Sequence, residues 1–508
     1  MSLFNNDPNA VPRPRSGGDL ALLIALAAAT LVVHVFTGHQ YGFQRDELAT
    51  LEDARHLAFG YVAYPPITPL FGRLSLILFG TSLAGFRFFA ACAQAVALVF
   101  IGLMARELGG RRGAQLVAAG AGVTFALGGG ALMQYVSFDY LCWVLVSYFV
   151  VRLLKNDDPR WWCAIGAAIG LGMESKYTMG FFVIAIVAAV VLTPGRKYLA
   201  SKWLWIGVAL SILVFLPNLI WQAQHHFVSL DFLSHIHKRD VGEGRADGLF
   251  AQQLQLTLLA TPLALAGLWF YLVAAGGRRY RMLGWMYVVT LVLFALAKGR
   301  WYYMAGAYPI LYAGGAVWGE QCLASMKRGW AGAVRGAAWV ALACDAALVF
   351  AIALPSAPVN SPRWKFAAKN NGDLVEELGW PELTAEVARI WDSMPADERA
   401  HAGILAANYG EAGAIALYGP QLGLPRPMSG VNSFWAKGYV QPPPDTLIVL
   451  GYSDRWRQRT FSSCQLAGHT PNPYRIKNEE TGDHPDIFVC RGMKQSWPEF
   501  WSDFQYYG

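Results

Sequence analysis

The residues best suited to chemistry are ionisable side chains set beside long apolar runs. After the first run comes His39-Gln40-Tyr41-Gly42-Phe43-Gln44-Arg45-Asp46-Glu47. An adjacent Asp-Glu pair at a membrane surface can serve as general base or hold a cation. Acids also suit the dipole at a helix start, so Asp46 and Glu47 keep both readings on spacing alone. Next comes Tyr61-Val62-Ala63-Tyr64-Pro65-Pro66-Ile67, whose paired prolines hold the backbone extended. Glu52, Asp53, Arg55 and His56 lie between, on an amphipathic helix along the membrane. Asp139 stands alone in an apolar stretch. An ionisable group at membrane depth is costly and reads as functional by default; the alternative is a cap in wet headgroups.

Glu174-Ser175-Lys176-Tyr177 and Lys298-Gly299-Arg300-Trp301-Tyr302-Tyr303 place cations at the ends of two more runs. Such cations can bind a phosphate, Arg bidentately, or snorkel to headgroups. Tyr64, Tyr302 and Tyr303 are the substrate-binding candidates beside them. His225, His226, His235 and His237 could supply zinc ligands. Their spacing is not that of a closed zinc site, so they read as solvated loop histidines. No metal is assigned, and a divalent cation is the one cofactor left open.

These residues need elements that carry them to one place. Of the 508 residues, 55% are hydrophobic and only 15% charged. A soluble globule carries about 25% charge, so a water-soluble enzyme throughout is excluded. Apolar runs able to cross a bilayer, about 20 residues each, recur up to Leu354. Eleven are read: 19–37, 84–104, 114–132, 137–154, 161–174, 178–193, 203–221, 251–275, 282–297, 302–320 and 331–354. Gly166, Gly170 and Gly172 interrupt the fifth. Arg13 and Arg15 before the first span, and alternate loops after it, hold 17 basic residues against 4 acidic; the other side holds 10 against 10. The positive-inside rule then sets the N-terminus in the cytoplasm. Asp46, Asp139 and the cations of 176 and 298–300 all fall on the outer side. That shared side favours the functional reading of each.

Residues 1–354 form the membrane domain, with long outer segments at 38–83 and 222–250. Residues 355–508 carry 14 basic against 17 acidic residues, unlike the basic part before them, and read as an outer soluble domain. Its apolar runs Gly403–Ala407, Thr446–Leu450 and Asp486–Cys490 read as strands, and Asn408–Pro420 as a turn and short helix. That is an α/β pattern. Cys464 and Cys490 either pair, if the compartment is oxidising, or stay free. The chain shows no Walker-type phosphate loop, no matched broken helices of an inverted-repeat transporter and no basic-aromatic array for nucleic acid.

The acidic pair after the first span, the PP-containing first loop, the second-loop Asp and the outer tail resemble the glycosyltransferase C superfamily. Within it, FQRDEL, YPPI, SFDY, SKYTMG, PNLIWQ and KGRWYYMAGAYP look like its protein-mannosyltransferase-like branch. That branch includes protein O-mannosyltransferases and lipid A aminoarabinose transferases. NYGEAGAIALYGPQLGLP and SGVNSFW resemble a tail found in a subset of its members. The resemblance implies a polytopic α-helical membrane enzyme of the bacterial inner membrane, about 11 helices of GT-C type, with a periplasmic α/β domain at its C-terminus. It implies a polyprenyl-phosphate sugar donor, an acceptor reached from the periplasm, and inversion at the anomeric centre. Carried over by position, Asp46 is the base, Glu47 its support, and Asp139 helps place a substrate. Lys176, Lys298 and Arg300 become candidates for the donor phosphate.

The reading is a membrane glycosyltransferase acting on a lipid-linked glycan such as lipopolysaccharide or lipid A. A protein hydroxyl is the alternative acceptor. A lipid or sugar translocase, or a non-catalytic assembly partner, is the alternative outside the enzyme class. Acids confined to one face argue against a translocase, whose site lies near the midplane.

Overall fold

Long apolar runs fold as helices because lipid offers no partner for a free N–H or C=O. A computed structural model describes residues 17–508. The charges at Arg13 and Arg15 lie outside the described residues. Up to Ala353 the chain is helical: α1 (Gly17–Thr37), α2 (Arg45–Arg55), α3 (Ile67–Phe79), α4 (Leu83–Glu107), α5 (Arg112–Gly129), α6 (Tyr135–Asn156), α7 (Trp161–Met173), α8 (Met179–Leu192), α9 (Lys202–Gln224), α10 (Val228–Gly242), α11 (Leu249–Thr257), α12 (Thr261–Leu272), α13 (Arg281–Leu296), α14 (Tyr308–Ser325) and α15 (Arg328–Ala353).

Every apolar run of the sequence contains helix, but the count of eleven spans is not reached. Among the described residues seven helices are long and apolar enough to cross a membrane, or eight if a pair bent by 103° at Thr193 is one span. Two of the expected spans, α5 and α14, are helices of 18 residues each whose hydropathy is diluted, in α5 by its glycines and in α14 chiefly by Glu320 and Gln321. The expected fifth span, α7, is apolar but short, and so is α3, which lies within the segment taken as an outer loop. The glycines that blurred α7 have a packing reason. A Cβ on Gly170 would stand 2.6 Å from Val214 Cβ and 2.9 Å from the Ser211 carbonyl on α9. Small residues let two membrane helices touch backbone to backbone. Apolar side chains on other faces stay exposed, Leu213 at 63% and Val340 at 64%, as lipid-facing residues do.

The rest of the chain is α16 (Pro362–Asn370), α17 (Trp380–Ser393), α18 (Ala396–Arg399), β1 (Ala402–Ala406), α19 (Tyr409–Tyr418), α20 (Asn432–Trp435), β2 (Thr446–Leu450), α21 (Asp454–Thr460), β3 (Phe461–His469), β4 (Asp486–Met493) and α22 (Trp497–Ser502). The sheet order is β1-β2-β4-β3, with β1 and β2 parallel and the other pairs antiparallel. Strand alternation gives it two apolar faces. Ile404, Ile448 and Leu450 meet α17 through Leu383, Val387 and Ile390. Leu405, Leu447 and Val449 meet Phe500, Trp501 and Phe504. The strand missing from the sequence reading is β3, an edge strand exposed along most of its length and without an apolar run. Cys464 and Cys490 oppose each other on β3 and β4 and are disulfide-bonded.

The two parts share a core. Phe43, Leu48 and Phe86 of the membrane part pack with Trp380, Ala414 and Leu417 of the tail. The tail therefore sits on α2, the helix that carries Asp46.

Candidate active site

Gln44 starts α2. Its side chain accepts from the Asp46 N–H at 2.6 Å, and Glu47 turns back to accept from the Gln44 N–H at 3.0 Å. This reciprocal cap fixes where the helix begins. Successive helical residues diverge by about 100°, so Asp46 and Glu47 face different surroundings. Asp46 lines a cavity of ≈550 Å³. Its Oδ1 accepts from the Tyr409 hydroxyl at 2.9 Å and its Oδ2 from Gln134 Nε2 at 3.3 Å.

Glu47 does not reach the cavity. It is 0% exposed, pairs with Arg87 at 2.6 Å, and accepts from the Met133 N–H at 2.8 Å. Its lone pairs are committed to structure, so it does not share the cavity with Asp46, which it was expected to support. Asp139 is also walled off, on the first turns of α6, where it accepts from Trp143 Nε1 at 2.9 Å and Thr178 Oγ1 at 3.4 Å. Its countercharge is Lys176. Asp139 therefore does not line the cavity, whereas Lys176 does.

Lys176 stands in the turn between α7 and α8. Its Nζ lies 4.0 Å from the Tyr303 ring centroid, 5.2 Å from Tyr135 and 5.4 Å from Tyr302. Aromatic faces stabilise a buried ammonium while leaving its N–H donors unspent. Tyr303 lines the cavity; Tyr302 sits behind it, accepting from Arg300 Nη1 at 3.3 Å. Arg300 lines the cavity too, but its fork is taken by Asp240 on α10, at 2.6 and 2.7 Å. Lys298 is exposed at the rim, with a left-handed backbone (φ 47°), and among the described residues has no ion-pair partner.

Tyr64 lines the same cavity, and its hydroxyl donates to Asp53 Oδ2 at 2.8 Å. Burial pushes the Asp53 carboxyl up to about 6, against the pull of Lys437 and of that hydrogen bond. Lys437 comes from the tail and pairs with Glu52 at 3.0 Å. Where the tail meets α2, further acids are pushed up by burial: Glu376 to about 7 and Glu411 to about 8.

Of the nine sequence-derived residues, six thus line one cavity: Asp46, Tyr64, Lys176, Lys298, Arg300 and Tyr303. Glu47, Asp139 and Tyr302 lie behind it. Gln134, Tyr135, Asp240 and Tyr409 were missed. The motif around Tyr409 was visible, but its partner is 363 residues away. The rest of the lining is apolar, with Phe181, Phe232, Leu233, Ile236 and Phe294. The four histidines do not gather: His225 stacks on Trp221 at 3.9 Å, His235 lies by Tyr507, and only His237 lines the cavity. Among the described residues no three His, Cys, Asp or Glu side chains converge as metal ligands.

A helical part with helices apolar enough to cross a membrane thus holds an acid-and-cation cavity where it meets an α/β tail. Residues 63–221 match the family described as dolichyl-phosphate-mannose-protein mannosyltransferase. Over 296 residues, 56% of this chain, the sequence is 25% identical to the lipid A galacturonosyltransferase RgtD of Rhizobium johnstonii. The match spans 60% of that relative's length. The crystal structures of ArnT from Cupriavidus metallidurans share the fold at 14% identity. The apo form has a TM-score of 0.58 over 93% of this chain and 98% of that one. The form bound to undecaprenyl phosphate has a TM-score of 0.59 over 94% and 98%. The chain therefore has the fold of the ArnT structures and is similar in sequence, over the segments given, to a mannosyltransferase family and a lipid A galacturonosyltransferase.

Proposed function

We propose that the protein transfers a monosaccharide from a polyprenyl-phosphate carrier to a hydroxyl-bearing acceptor at the outer face of the inner membrane, inverting the anomeric centre. The carrying observation is the meeting in one cavity of a carboxylate from α2 with ammonium groups from two other connections. Asp46 takes the proton of the acceptor hydroxyl as its oxygen bonds to the anomeric carbon. The sugar–phosphate C–O bond breaks, and its electron pair leaves on the carrier phosphate. Lys176 and Lys298 stabilise that developing charge, since preorganised cations act most strongly where water is excluded. Arg300, held by Asp240, contributes field and shape more than a free fork. The apolar lining suits the first isoprenes of the carrier.

The N-terminus is then cytoplasmic, and the tail (residues 355–508) and the cavity are periplasmic. A glycolipid acceptor of the lipid A kind is favoured by the galacturonosyltransferase relative. A protein hydroxyl is the second reading, favoured by the description of the matching family. The test is purified protein in nanodiscs with radiolabelled carrier-linked mannose, glucose, aminoarabinose or galacturonic acid, plus separate lipid and protein extracts. Label in the lipid fraction supports the first reading and label in protein the second. No transfer from any carrier overturns both.

A further inference from the structure

One side chain on Asp46 comes from the tail. Tyr409 is the first residue of α19; its hydroxyl lies 2.9 Å from Asp46 Oδ1, and it lines the cavity. Three features hold it there. Asn408 caps the helix, accepting from the Glu411 N–H at 2.8 Å while Glu411 accepts from the Asn408 N–H at 3.2 Å. That reciprocal cap sets the direction in which Tyr409 leaves the helix.

Next, α19 rests directly on α2. A Cβ on Gly413 would stand 2.7 Å from Leu48 Cβ and 3.0 Å from the Leu48 carbonyl; one on Gly410 would stand 2.6 Å from the Trp380 ring. Only glycine permits that approach, and Leu48 is two residues from Asp46. Finally, the Arg45 guanidinium lies 4.8 Å from the Tyr409 ring centroid and pairs with Glu479 at 2.6 Å. The ring is thus gripped by a cation–π contact from the residue preceding Asp46. Burial and the charge of Asp46 push the Tyr409 hydroxyl upward, so it stays protonated and donates.

We infer that Tyr409 is a positioning residue for Asp46, and that the C-terminal unit is a structural part of the active site. The tyrosine occupies Oδ1 at 2.9 Å and leaves Oδ2, whose other contact is the longer one from Gln134 at 3.3 Å, to meet the acceptor proton. The tail motif NYGEAG then has a stated job: the Asn caps, the Tyr positions and the glycines allow the approach. This rests on Asp46 as the base.

The test uses the full chain in nanodiscs as wild type, Tyr409→Phe and Asp46→Asn, with transfer rate, donor KM and melting temperature each measured. Loss of a hydrogen bond to a charged group predicts a kcat lower by about 10- to 100-fold in Tyr409→Phe, with donor KM and melting temperature unchanged. Wild-type kcat in Tyr409→Phe, with Asp46→Asn inactive, overturns the inference alone. A fall in melting temperature and donor affinity along with kcat also overturns it, in favour of a docking role. An active Asp46→Asn removes the base and the inference with it.

Discussion

Glu47 and Arg87 form an ion pair closed to water, with Oε2 and Nη2 2.6 Å apart and side-chain exposures of 0% and 3%. Arg87 reaches on to Glu377 of the tail at 3.2 Å. One guanidinium therefore ties α4 to α2 and to the tail, while the neighbouring acid, Asp46, faces the cavity. Two adjacent carboxylates thus have separate tasks.

Glu47→Gln leaves Arg87 buried with too little compensating charge. Removing one partner of such a pair costs about 3–5 kcal/mol. The melting temperature in detergent should drop and activity should fall with the folded fraction. A Glu47→Gln protein as stable as wild type would contradict this assignment.

Lys298 and Arg300 should also separate. Lys298→Ala removes an exposed, unpaired cation, so donor KM should rise about tenfold, the effect of roughly 1.4 kcal/mol, with stability unchanged. Arg300→Ala removes the two short bonds to Asp240, which is 5% exposed and keeps only Arg239 and Arg245 at 3.9 and 3.8 Å, so it should lower the melting temperature as well. Donor titration beside thermal unfolding checks both.

The seam between tail and α2 should weaken as pH rises. Burial raises the carboxyls of Glu376 to about 7 and of Glu411 to about 8. The folded state then holds more protons than the unfolded state between the ordinary carboxylate range and pH 8. Stability is fully present below that window and is lost as pH rises through it. The protection factors of the α19 amides, hydrogen exchange divided out by its base-catalysed intrinsic rate, should be higher at pH 6 than at pH 8.5. Glu411→Gln keeps an acceptor oxygen for the Ala407 and Asn408 N–H groups but cannot ionise, and should flatten that dependence.

The legible part of the site was the part announced by cost. Charges beside apolar runs stand out, and Asp46, Lys176, Lys298 and Arg300, which the fold brings to one cavity, were singled out that way. Glu47 was overread because adjacency in sequence suggested shared work, although neighbours on a helix point apart. Asp240 was passed over as one charge among many on a polar segment, and only the fold brings it to Arg300. Tyr409 lay in a motif seen but unexplained, since nothing local links residue 409 to residue 46. In the fold, buried strands were readable from their apolar runs, whereas exposed β3 carried no such signal. Of the eleven spans read, α5 and α14 are less apolar and α7 is shorter than the helices long and apolar enough to cross a membrane, so the count rests on more than hydropathy.

The most direct test of the account is Asp46→Asn in nanodiscs, assayed for transfer of labelled sugar from a polyprenyl-phosphate carrier and, separately, for binding of that carrier. The account predicts that binding and melting temperature persist while transfer falls by about 10²–10⁴-fold, the usual cost of losing a general base. Transfer at the wild-type rate would contradict it, because the one carboxylate that the fold turns into the cavity from α2 would then have no part in the chemistry.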